Sequence, residues 1–99
     1  MIQLHVDLDV DEAQEQQMLL AFNDLFSPAI RKQPGFVHVR LLRLRGQAPD
    51  FNFRLLIGFE SEEQRQEWVA TDVHQEVWPA IERTLKGSKY AVRLYDVLK

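Results

Sequence analysis

The chain has 99 residues, 45% of them hydrophobic and 27% charged, a balance that supports a folded core and excludes a disordered segment. Its net charge of -3 argues against a protein that grips a nucleic-acid backbone. The absence of cysteine removes disulfides, thiolate nucleophiles and sulfur ligation of zinc or iron. No apolar run approaches a membrane span, and Met1-Ile2-Gln3-Leu4 lacks the basic and apolar stretches of a secretory leader, so the expected setting is the cytoplasm with no membrane partner. One domain over residues 1–99 is expected.

Ile2, Leu4, Val6, Leu8 and Val10 alternate with Gln3, His5, Asp7 and Asp9, the period-two pattern of a strand with one apolar face. Asp11-Glu12 then opens a helix, since carboxylates suit the positive end of the helix dipole. Met18, Phe22, Leu25 and Ala29 form its apolar stripe, widened by Phe26 and Ile30. Pro28 should kink this helix or restart it with Ser27 as a cap, and Pro34-Gly35 should end it. Strands follow over Phe36–Leu44 and Phe51–Phe59, joined as a hairpin by Arg45-Gly46-Gln47-Ala48-Pro49-Asp50. Ser61-Glu62-Glu63-Gln64 has the form of a capping box, predicting a helix to about Ala70. Thr71-Asp72 re-caps a second helical piece carrying Val73, Val77, Ile81 and Leu85, kinked at Pro79 and closed by Gly87-Ser88 before a last strand over Tyr90–Val97.

The order β-α-β-β-α-β predicts an α+β, ferredoxin-like fold: a four-stranded antiparallel sheet with the helices on one face. Strand three carries Phe51, Phe53, Leu55, Ile57 and Phe59 on one parity and Leu56 on the other. Strand two offers apolar residues on both parities. Two helices cover one face only, so the other is expected to be apolar and to close against a second copy in a sheet-to-sheet homodimer.

Phosphate-binding glycine loops and serine-nucleophile elbows are absent. His5, Asp7 and Asp9 share the polar face of the first strand, where they are open to three readings: charge pairing with Arg54 and Arg93 across the sheet, a pocket base, or metal ligation. Pairing is the simplest, because a flat row on one strand does not enclose an ion. Arg40, Arg43 and Arg45 form either an anion-binding patch or a solvated hairpin paired with acidic neighbours; the acidic net charge favours the solvated hairpin and no nucleic-acid partner. His38, alone on its strand, reads as structural.

Pro34-Gly35-Phe36-Val37, Phe59-Glu60-Ser61-Glu62-Glu63, Trp68, Thr71-Asp72-Val73-His74 and Leu94-Tyr95-Asp96-Val97 together resemble the antibiotic-biosynthesis-monooxygenase-like group of the dimeric α/β-barrel superfamily. The resemblance covers most of the chain. It implies a sheet-to-sheet dimer with a pocket between sheet and helices in each subunit. The activities it implies are cofactor-free oxygenation of phenolic or quinol rings, haem degradation, or none established. Haem-degrading members place an Asn on the first strand and an axial His where Trp78 stands here; His5 and Asp7 do not supply the Asn, and indole does not ligate iron as imidazole does.

Cofactor-free oxygenation needs a base, donors for the developing anion and a dry aromatic pocket. His74 has the intrinsic pKa for the base. Trp68, Trp78, Phe22 and Phe26 would bind a flat ring. His74 and Trp78 are one helical turn apart, whereas Trp68 meets His74 only if the helix breaks at Thr71-Asp72. The competing reading makes these side chains ordinary core packing. The expected function is a monooxygenase acting on a small aromatic, quinol or polyketide-like compound without metal or flavin. The alternative is a non-catalytic ligand-binding or interaction module on the same scaffold.

Overall fold

A computed structural model describes residues 1–47 and 50–99 of the chain; Ala48 and Pro49 of the expected hairpin link lie outside the described residues. Strand β1 (Ile2–Val10) has the expected strict alternation, with every even residue buried. It lies inside a four-stranded sheet of order β2-β3-β1-β4, built with β2 (Phe36–Arg43), β3 (Phe53–Phe59) and β4 (Leu85–Asp96). All neighbouring pairs are antiparallel. Leu4 pairs with Ile57, and Val6 with Leu55, so the even residues of β1 and the odd residues of β3 point to the same side. There they meet Met18, Phe26, Ile30, Val77 and Ile81 of the helices in one core.

The register between β2 and β3 breaks between Phe36 and His38. The break lets Phe36 and Val39, of opposite parity, both serve the core, with Phe36 edge-on to Phe59 at 6.3 Å. At the far end of β1, the side chain of Asn52 substitutes for a strand. Its Oδ1 accepts from Val10 N at 2.8 Å and its Nδ2 donates to Val10 O at 2.9 Å. β3 therefore begins at Phe53 rather than at Phe51.

Between β1 and β2 the chain makes a 3-10 turn (Glu12–Gln14), helix α1 (Glu15–Ala21), a widened π turn (Phe22–Phe26) and helix α2 (Ser27–Ile30). Asp11 caps the start by accepting from Ala13 N at 3.0 Å. Pro28 does not restart the helix, and Ser27 is not a cap: its hydroxyl accepts from Arg31 Nε. The proline ring would strike the carbonyl four residues back, at Asp24. The widened turn, with Ser27 N bonded to Phe22 O, opens the helix ahead of it. Helices α3 (Glu62–Val69) and α4 (Asp72–Glu82) cover the rest of the core, and α4 continues through Pro79.

Two further expectations change. Gly87-Ser88 does not close α4; Thr84 does, its buried hydroxyl donating to Ile81 O at 2.6 Å. β4 begins at Leu85, and Gly87 and Ser88, both at φ 56, lie where its register with β1 shifts between Leu8 and Val10. The outer sheet face is not the apolar surface the sequence suggested. Phe53, Leu55, Ile57 and Phe59 are all turned under the helices, and the outer face carries Gln3, His5, Asp7, Arg40, Arg54 and Arg93 beside Leu42, Leu56 and Tyr95. The apolar surplus lies elsewhere. Tyr90, Val92 and Leu94 of β4 point to the helix side beyond the helices' reach and are 41%, 50% and 46% exposed. No helix is long and apolar enough to cross a membrane among the described residues.

Candidate functional site

Helices α3 and α4 are separated by a single hydroxyl hinge, and the site is built on it. Thr71 Oγ1 donates to Trp68 O at 2.7 Å, at the end of α3, and accepts from His74 N at 3.1 Å, in the first turn of α4. One side chain thus terminates one helix and caps the next. On an uninterrupted helix, Trp68 and His74 would point apart. The hinge instead brings their rings to 5.0 Å, edge to face at 85°.

Around them lies a cavity of about 200 Å³ between sheet and helices, floored by Leu4, Val6, Leu55 and Ile57. Trp68, His74 and Trp78 all reach its wall, and so does Phe26, whose ring is edge-on to Trp68 at 5.9 Å. Phe22 does not: it stacks behind Phe26 at 6.2 Å and belongs to the core. Trp78 is edge-on to Tyr90 at 5.1 Å, and this pair stands where the cavity opens toward the uncovered side of β4.

Polar groups in this wall are few, which makes each informative. His74 Nδ1 is buried and has no hydrogen-bond partner among the described residues. Burial pushes the His74 pKa below its ordinary value, and the nearby positive charge of Arg65 lowers it further, so the ring is neutral at pH 7. Arg65 also lines the cavity and was not foreseen from sequence. It sits three residues before Trp68 on α3, on the same helical face, a spacing that could have flagged it. Its Nε and Nη2 are held by Glu62, whose own carboxyl this pairing keeps below the usual range. Half of the expected capping box forms: Ser61 Oγ accepts from Gln64 N at 3.2 Å and fixes the start of α3, while the Gln64 side chain accepts from the Ser61 hydroxyl at 3.1 Å rather than from its backbone amide.

The first-strand row resolves as charge pairing at Asp7. Asp7 and Arg54 are direct cross-strand partners joined at 2.6 Å on the outer face. Arg93 stands opposite His5 instead of a carboxylate. His5 hydrogen-bonds Gln3 at 2.9 Å and lies 4.7 Å from the Tyr95 ring. Its pKa is lowered by burial and by Arg54, against the opposing pull of Asp7. None of these residues reaches the cavity, and no group of three or more His, Asp or Glu side chains could hold a metal ion among the described residues. Arg43 of the hairpin pairs with Glu15 at 2.9 Å. The ring of His38 occupies the space that Gly58 leaves: a Cβ there would lie 2.7 Å from His38 Nε2.

Residues 1–78 match the family model described as antibiotic biosynthesis monooxygenase. Among solved structures, the chain is similar to one from Caulobacter crescentus named as a candidate antibiotic biosynthesis monooxygenase. The identity is 19%, the TM-score 0.85, and the match covers 99% of this chain and 90% of that one. It is also similar to SnoaB, a cofactor-independent oxygenase from Streptomyces nogalater, at 16% identity and TM-score 0.82 over 99% and 93% of the two chains. A third is a dimeric ferredoxin-like protein of unknown function from Jannaschia, at 14% identity and TM-score 0.82 over 97% and 98%. At such identities the likeness to these structures is one of fold. No curated protein matches the chain in sequence.

Proposed function

The chain belongs to the antibiotic biosynthesis monooxygenase family, and from that premise we propose that it is a cofactor-independent monooxygenase acting on a small phenolic or quinol-type ring. The observation that carries this reading is the convergence of a neutral His74 with Trp68, Trp78 and Phe26 on one mostly apolar cavity between sheet and helices. A neutral imidazole is the form that accepts a proton. In the reaction, His74 takes the proton of the ring hydroxyl, and the electron-rich anion reacts with dioxygen at a ring carbon whose keto tautomer is a CH2. That carbon becomes a carbonyl and the second oxygen leaves as water. The electrons dioxygen takes up are those the carbon gives up, so no external reductant is required. Trp68, Trp78 and Phe26 hold the ring flat and keep water out.

The homodimer belongs to the same proposal, supported by the dimeric ferredoxin-like description of the Jannaschia structure. On this chain Leu42, Leu56 and Tyr95 would supply the apolar part of a sheet-to-sheet contact. The charged residues around them would pair across it. The test is oxygen consumption by the pure protein with a panel of naphthols and quinols, His74→Ala serving as the control. Turnover that depends on His74 is expected. Equal turnover by the variant removes His74 from the mechanism, and ligand binding without oxygen uptake by wild type identifies a binding module.

A further inference from the structure

Among the described residues, Arg65 is the one cationic side chain in the cavity wall. Glu62 occupies Nε and Nη2, which fixes the plane of the guanidinium, while Nη1 has no hydrogen-bond partner among the described residues. Its side chain is only 20% exposed. An arginine held on one edge by a carboxylate presents its other donors in a fixed direction, the arrangement that suits an oxyanion. The cavity floor is aliphatic and its walls aromatic, so the rest of the ligand is apolar and flat. At about 200 Å³ the space falls below the roughly 300–1,000 Å³ of sites that enclose drug-sized ligands, which limits the occupant to one or two rings.

We propose that Arg65 is the oxyanion-binding residue of this cavity and selects one- or two-ring phenols by pairing with the ionised hydroxyl, excluding larger polycyclic compounds. The assignment rests on the reading of the cavity as the substrate site and adds the specificity that His74 and the indoles do not supply. Imidazole and guanidinium divide the work. His74, uncharged, receives the hydroxyl proton, and Arg65 holds the oxygen that the proton leaves. Glu62 does not line the cavity and acts through Arg65 as a positioning residue.

The test uses 4-nitrophenol, whose anion is coloured and whose ionisation is therefore read directly, with binding measured in parallel by calorimetry. Wild type should bind the anion in preference, lowering the titration midpoint of the bound phenol by about one unit, or tenfold in relative affinity. Arg65→Gln should abolish the shift, and Arg65→Lys should restore part of it without the fixed geometry. A three-ring phenol should give no binding heat. Circular dichroism of each variant, with Arg65→Lys as the conservative control, separates loss of the donor from loss of the fold. Binding with an unshifted midpoint in wild type, or a shift retained in Arg65→Gln, overturns the Arg65 assignment alone. A shifted midpoint without oxygen uptake on any ring overturns the monooxygenase reading alone, and absence of binding heat with every phenol overturns both.

Discussion

Replacing His74 with leucine should leave the protein as stable as before or more so, the opposite of an average core substitution. Three magnitudes decide this. The buried, unpartnered Nδ1 costs about 1–3 kcal/mol that leucine does not incur. Loss of the edge-on contact with Trp68 removes about 0.5–1.5 kcal/mol. Leucine recovers most of the apolar contact against the cavity wall. The expected net change at about pH 7.5 runs from a loss of about 0.5 to a gain of about 2.5 kcal/mol for His74→Leu. Acid sharpens the difference. The folded pKa of His74 lies below the ordinary 6.5, so the unfolded chain binds the proton first. Its contribution is complete above pH 6.5 and is lost as the pH falls from there through the depressed folded value. Wild type should therefore weaken between about pH 7.5 and about pH 5.5 more than His74→Leu does, and His5, shifted in the same direction, leaves a residual slope in both. Urea unfolding at the two pH values measures all of this. A loss of more than about 1 kcal/mol in His74→Leu at the higher pH would refute the reasoning, because it would mean His74 is a satisfied packing residue.

Thr71→Val removes both hydrogen bonds of the hinge while keeping its shape. The capping loss should cost about 1 kcal/mol, and oxygen uptake should fall further than that destabilisation explains because Trp68 and His74 lose their fixed approach; unchanged turnover in a destabilised variant would separate the hinge from the site. Gly35→Ala and Gly46→Ala, at φ +80 and +86, should each cost about 1 kcal/mol in thermal or urea unfolding from the left-handed backbone alone. The flexible side-chain amide of Gln64 can swing away from a methyl at 35, and no atom of the described residues lies near one at 46; a much larger loss at Gly35 would show that Gln64 is held in place.

What could be read in advance was what is encoded locally. The alternation of Ile2 to Val10 carries its own periodicity, and Ser61 and Thr71 cap their helices by hydroxyls three residues from the amides they accept. What failed depended on partners distant in sequence. Apolar residues on both parities of β2 suggested a second apolar face, but the register break beside Phe36 turns that residue to the core along with Val39 and leaves Leu42 on a mainly charged outer face. Gly87-Ser88 reads as a helix stop in isolation, while the sheet uses it to absorb a register shift inside β4. Pro28 reads as a helix break, and the π turn before it accommodates the ring instead. At the site, the aromatic residues and His74 were visible in the sequence because their residue types advertise chemistry. Arg65 was not, since an arginine among Glu62, Glu63 and Glu67 looks like a solvated face until α3 is laid against the sheet.

The proposed chemistry depends on a neutral His74 whose imidazole meets the ligand hydroxyl in the cavity. Nitrogen-15 spectra of the imidazole side chains, recorded with and without 1-naphthol at neutral pH, observe that ring directly. The free protein should show a neutral His74, and 1-naphthol should displace its imidazole nitrogen resonances strongly, with the indole signals of Trp68 and Trp78 moving alongside. A His74 already protonated or hydrogen-bonded in the free protein, or one unmoved by saturating 1-naphthol, would contradict it.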